Sequence, residues 1–477
     1  MPNSPESLPL PQFTKGMVRE AAVDSALSPP DSVELSLNLH GDTIGAYKPR
    51  RGLTLLGAQV ESGAAVLGIG NYRNNAGTAY RALAKVDRDL YAYNGSTWSS
   101  VRNTLVAASK MRYTNFVDYT FMVNGVGAAG DAITTYDGST VGTTNVASLP
   151  KGDFIENYRS RIWVADSSVD KLYYSDVVTT SNTITGGTAF LQISPADGEK
   201  LTGLKRTAKA LLAFKQNHIY RVMNVNSTDP DPFINRGTYS QDSIIESKSG
   251  IHYHHSSGFY DFVHDGEQKE ISRPIVDIVQ AVPRSYYESV SGWPDDDHLY
   301  WSVGDITLGG VAFANVVCAR TISTETWTVY SYGSEIRSAG LYDDGTSIHQ
   351  LVGDHDGNVL KFDTGTTDNG VPIRYDLQTH WMYMSQLRTA KKSFTELSTL
   401  HENAQGGNLS YQLDVDAPNR WRPIGELKKS IAQVDALNAG DFFRIRLRLS
   451  GSSSGTPFVF RGWELLNLLV GGVSKKP

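Results

Sequence analysis

Leu90 to Val101 reads LYAYNGSTWSSV: apolar and polar positions alternate, the run breaks at Asn94-Gly95, and it resumes with Thr97-Trp98. Alternation with a period of two marks a strand with one buried face, and Asn-Gly between two such runs predicts a hairpin turn. The pattern returns. Asp137-Gly138 in TTYDGSTVG follows after a step of 43 residues, Asp265-Gly266 in FYDFVHDGEQKEI comes close to three such steps later, and Asp356-Gly357 in GDHDGNVLKFD close to two more. The four turns read as one register. Between them lie aromatic strand pairs, RIWVADSSVDKLYYSDV, LLAFKQNHIYRV and HLYWSVGDITLGGVAFANVVCAR. One small sheet of short strands cannot bury both its faces, whereas sheets closed into a ring cover one another. A repeat of roughly 40 to 50 residues therefore predicts a β-propeller with tyrosine and tryptophan filling the wedges between blades.

The flanks behave differently. The start, MPNSPESLPLPQF, and Ser-Pro-Pro at Ser28 to Pro30 favour an extended arm, with a short helix possible in GMVREAAVDSAL. After Gly365 the register stops, and ELSTLHE, LSYQLDVDA, RWRPIGEL, FFRIRLRLS and FVFRGWELL read as longer strands of a small sandwich. The expected fold class is all-β: a six- or seven-bladed β-propeller followed by a C-terminal β-sandwich. The expected boundaries are residues 1–49 for an extended arm and first strand, 50–370 for the propeller and 371–477 for the sandwich.

Composition agrees with that class, since 44 Gly and 24 Tyr in 477 residues suit short strands and tight turns. The 44 Lys and Arg against 50 Asp and Glu leave a formal charge of −6, so the molecule as a whole does not attract a phosphate backbone. The single cysteine, Cys318, excludes an intramolecular disulfide and reads as a small buried hydrophobe. With no apolar run of membrane-spanning length and no basic, apolar leader, a soluble protein without membrane insertion is expected, made in a cytoplasm.

Enzymatic templates are empty. NGSTW at Asn94 to Trp98 and STETW at Ser323 to Trp327 resemble the Asp-box turn of sialidase-like propellers, where the box is structural, and the catalytic set of that family cannot be placed. Asp354, Asp356 and Asn358 alternate like calcium ligands, but Gly365 stands where a closing glutamate belongs, so a hairpin held by aspartate side chains is expected. His252, His254 and His255 lack nearby cysteine or acidic partners for zinc. No catalytic, cofactor-binding or metal-binding residue is assigned, and no enzyme is expected. The informative charged stretch is FFRIRLRLS: Phe443, Ile445, Leu447 and Leu449 face one way, while Arg444, Arg446 and Arg448 form a row about 6.6 Å apart on the other. Such a row can meet an acidic neighbour or a phosphate chain at an interface or channel, or can serve as a solvated face that resists edge aggregation.

VELSLNLHGDTIGAYKPRRGLTLLG, GIHYHHSSGFYDFVHDGEQKEIS, TISTETWTVYSYG and GDHDGNVLKFDTGTTDNGVPI, followed by a strand-rich end, resemble the tail-nozzle and packaged-DNA stabilisation (tail hub) proteins of short-tailed bacteriophages. The resemblance covers most of the chain and rests on organisation and loose motifs. It implies a virion structural protein that forms a ring, commonly a hexamer, beneath portal and adaptor. Such a ring extends the DNA channel, retains and then releases the genome, contacts fibre or needle proteins, and lets DNA pass without sequence-specific binding. It carries over no catalytic residues. The alternative from another class is a glycan-binding or glycan-cleaving propeller for host-surface recognition, with exposed aromatics stacking on sugars.

Overall fold

A computed structural model of the chain describes residues 6–9, 12–19, 31–41, 45–142, 148–178, 184–195, 197–226, 232–262, 267–383, 391–394, 396–402, 407–417, 420–427, 432–436, 442–453 and 458–470. Its regular structure is almost entirely antiparallel strand, with one short α-helix, Val276–Ala281, and four 3-10 turns among the described residues. Four-strand units follow one another along the chain, their first strands opening at residues 66, 112, 154, 203, 245, 291 and 336. The intervals of 42 to 49 residues match the period read from the turns. The last unit takes its fourth strand, Thr54–Leu55, from the other end of the chain, with Leu360 opposite Leu55 and Lys361 opposite Thr54.

Packing explains why the units come as a set. Each successive pair of sheets encloses an apolar cluster: Tyr72, Leu83 and Met122 between the first and second units, Phe121, Ile155 and Val164 between the second and third. Trp163, Leu172 and Leu211 follow, then Phe214, Ile251 and Tyr253. Phe259, Trp301 and Trp327 lie between the fifth and sixth, and Trp293, Tyr330 and Val352 between the sixth and seventh. The cycle closes where Tyr342 and Leu351 of the last unit meet Val66, Ala84 and Tyr93 of the first. Such cyclic burial, with every sheet covered on both faces by its neighbours, is compatible with a β-propeller. Glycines let the first strands converge. A Cβ at Gly68 would stand 2.3 Å from the Met111 carbonyl oxygen, and one at Gly340 2.7 Å from that of Ile69.

The turn signals hold in kind but not in register. Asn94-Gly95 and Asp137-Gly138 join the third and fourth strands of their units, whereas Asp356-Gly357 joins the second and third of the last unit, at the opposite edge. Equal spacing of these dipeptides was therefore partly coincidental: any reversal of a twisted strand pair favours the same residues. Asp265-Gly266 lies outside the described residues.

Strands from both chain ends form two further sheets. Val33–Leu37 pairs with Val371–Thr379 and, through Leu37, with Val329 of the sixth unit, so one sheet runs from that unit through Ile445–Ser453 and Asn408–Leu413 to Arg422–Glu426. The other contains Leu39–Gly41, Tyr47–Pro49, Val459–Val470, Glu396–Glu402 and Ala432–Ala436, with Glu6–Pro9 on its long strand. Leu35, Tyr47, Leu377, Leu447, Phe460 and Trp463 share one core between them. Of GMVREAAVDSAL, Met17 bridges Val33 without forming a helix, and residues 20–27 lie outside the described residues.

Candidate functional site

Period-two alternation along Ile445–Ser453 buries Ile445, Leu447 and Leu449 completely and turns Arg446 and Arg448, with Arg444 just before them, to the opposite face. The row read from FFRIRLRLS exists, but its members are not alike. Arg448 makes a forked pair with Asp376, at 3.0 and 2.6 Å, from the neighbouring strand. Arg446 donates to Gln412 at 2.8 Å and reaches Glu34 at 3.4 Å. Two indoles stand between the guanidinium groups: Trp381 lies 5.1 Å from Arg444 and 5.0 Å from Arg446, and Trp421 lies 4.8 Å from Arg446 and 5.5 Å from Arg448.

The result is a ladder of alternating cations and rings drawn from three segments. Stacking over an indole holds each guanidinium while its edge stays free to donate. Burial pulls Arg446 below its ordinary value despite Glu34, and burial lifts Asp376 above the usual carboxylate range against the pull of Arg448. Two of the three charges are thus matched within the chain. Sequence reading found the row but neither tryptophan, because indoles on loops carry no periodic signal.

A second polar place lies where the first strands converge. A cavity of about 220 Å³ is lined there by Arg112, Glu156, Lys205 and Asp242, with residues from the first strands of six units and from the segment just before Ile245–Ser247. Lys110 reaches Asp242 at 2.5 Å and Arg112 reaches it at 3.5 Å. Burial pushes Asp242 upward, but Arg112 and Lys110 outweigh it and leave the carboxyl below its usual range. Glu156 is raised by burial over the opposing Lys205 and Arg206. No sequence signal announced this cluster, since its members sit on separate units.

The remaining candidates behave as packing and turn residues. Asp354 accepts from the backbone N–H of Asp356 at 2.9 Å and of Asn358 at 2.8 Å, and from the Asn358 side chain at 2.8 Å, which makes it the brace of a hairpin. Trp98 donates to the Leu56 carbonyl at 2.8 Å and packs on Tyr93, while Trp327 donates to that of Ile271 at 2.9 Å, so both Asp-box-like runs anchor a tryptophan between sheets. His254 packs against Phe259 and Tyr287, and burial lowers it to about 3. His255 bonds Ser257, and His252 is buried beside Asp261. Among the described residues, no group of three or more His, Cys, Asp or Glu could hold a metal ion. Cys318 is fully buried, and burial raises its thiol. No described helix is long and apolar enough to cross a membrane.

No family model and no curated protein matches the chain. Among solved structures, it is similar to the extracellular domain of a putative one-component system from B. thetaiotaomicron, at 9% identity and a TM-score of 0.44, over 88% of this chain. The match spans 60% of the length of that protein's chain.

Proposed function

We propose that this chain is a structural subunit of a bacteriophage tail, a nozzle or hub protein whose copies form a ring, six by the resemblance, around the DNA path below portal and adaptor. The seven four-strand units are read as seven blades and the strands from both chain ends as the sandwich. The observation that carries the reading is the sheet running unbroken from the sixth unit through Val33–Leu37 into Val371–Thr379 and Ile445–Ser453. Backbone hydrogen bonds across that seam resist shear between the two lobes, as a wall around a confined genome requires.

The axial cavity supports a path between copies. At about 220 Å³ it is small and ion-paired, while the major groove of B-DNA alone is about 12 Å wide. DNA then passes along the outside of each subunit, in a lumen that the acidic balance keeps from holding it. The glycan reading loses support because Trp163, Trp293, Trp301 and Trp327 are buried between sheets. Imaging the purified protein, and the particle that contains it, by electron microscopy tests the proposal. Rings at the tail are expected; a protein that stays monomeric when concentrated and is missing from purified particles overturns it.

A further inference from the structure

The tail role leaves one buried cluster without a part to play. His252, 1% exposed, sits opposite Asp261 on the paired strand, with its Nδ1 2.5 Å from the Asp261 carboxylate. A carboxylate only accepts, so Nδ1 carries the proton and Nε2 is left as the acceptor. Nε2 faces two hydroxyls, Ser247 Oγ at 2.7 Å and Ser249 Oγ at 3.1 Å, which are 2.9 Å from each other. Ser247 ends the strand Ile245–Ser247 and is half-buried, while Ser249 is exposed in the two-residue turn that leads to Gly250–His255. Arg320, itself 4% exposed, stands 3.7 Å from the other Asp261 oxygen and helps to orient that carboxylate.

Hydroxyl, imidazole and carboxylate in this order form the arrangement that activates a serine: the base accepts the hydroxyl proton while the acid fixes the tautomer and stabilises the imidazolium. We propose that Ser247, His252 and Asp261 form an acyl-transfer site that hydrolyses O-acyl esters. Ser247 Oγ bonds to the acyl carbon as its proton passes to His252 Nε2. The ester C–O bond breaks, and the leaving alkoxide takes that proton. Water then attacks the acyl-serine, His252 relays its proton back to Oγ, and a carboxylic acid is released. Because Lys248 and Ser249 of the turn are exposed, an acyl group borne on a polymer, such as an acetylated polysaccharide, reaches it from solvent. Asp261 acts through His252 and is a positioning residue.

The test uses the full-length protein, a fluorophosphonate probe and p-nitrophenyl acetate. Labelling is expected on Ser247, with Ser247→Ala lowering it about 100-fold or more and Ser249→Ala leaving most of it. In the wild type, labelling should slow on acidification, since a protonated imidazole cannot serve as base. Asp261→Asn should lower the labelling rate without altering its dependence on probe concentration. Both serine variants change a solvent-facing turn, so their folding is checked by thermal melting. Absence of labelled serine in the wild type, or labelling indifferent to both Ser247→Ala and pH, overturns the proposal and leaves the cluster as a cross-link between strands.

Discussion

At the level of single residues, the dipeptide turns show how one sequence signal carries two physical demands. Gly95 and Gly138 both have φ near +100°, a region costly for any side chain. Their surroundings differ: a Cβ at Gly95 meets nothing within 4 Å, whereas one at Gly138 would lie 2.6 Å from the Tyr72 ring, which is buried against Tyr136. Gly95→Ala is expected to cost about 1 kcal/mol, and Gly138→Ala about 2–4 kcal/mol, in urea unfolding. The arginine ladder gives a second prediction. Trp421→Ala removes the ring shared by Arg446 and Arg448 and should cost about 1–3 kcal/mol, with Arg446→Lys recovering less than the wild-type stability because an ammonium cannot stack and fork at once. The row itself was legible in FFRIRLRLS. Its partners were not, because Glu34, Asp376, Trp381 and Trp421 reach it from segments whose proximity only folding creates.

Among elements, the two-residue strand Thr54–Leu55 has the largest consequence for its size. It completes the seventh unit from roughly three hundred residues away and brings Leu56 into the cluster that joins the last unit to the first. Leu56→Pro should open this seam, since proline removes the N–H that Leu56 donates to the Val359 carbonyl at 2.9 Å. Hydrogen exchange at residues 336–361 is expected to rise by at least tenfold, with residues 154–192 changing far less. The strand was invisible beforehand. Two residues hold no periodicity, and their partner is fixed by where the cycle ends. The third-strand and fourth-strand pairs of the first two units were legible because alternation and an Asn-Gly or Asp-Gly pair, followed in the first unit by Trp98, agree locally.

For the whole molecule, stability should depend on acid through its buried imidazoles. Burial lowers His254 to about 3 and His255 to about 4, below the ordinary histidine value near 6.5. Between those values the unfolded chain binds more protons than the folded one, so stability is fully present above about pH 6.5 and falls as pH is lowered toward 3. Thermal melts across that window should show the decline, and His254→Phe should flatten it. Asp242 binds the centre in a similar way. Asp242→Asn sets Lys110 and Arg112 against each other and should cost about 1–3 kcal/mol, less than a fully buried pair would because all three side chains keep some solvent contact.

What the residues determined alone was local: strand period, turn chemistry, aromatic content and a repeat length near 45, from which an all-β chain of small sheets follows. Those properties depend on neighbours in sequence, and backbone stereochemistry translates them directly into hairpins. Only the folded structure decided which end supplies the last strand of the unit that opens at residue 336, and how Val33–Leu37 joins the sixth unit to the sheet beyond it. It also decided that the guanidinium row meets indoles and carboxylates and that a serine, a histidine and an aspartate meet at one turn. Each of these is a pairing between distant segments, and its position is set by the burial of apolar faces across the entire ring.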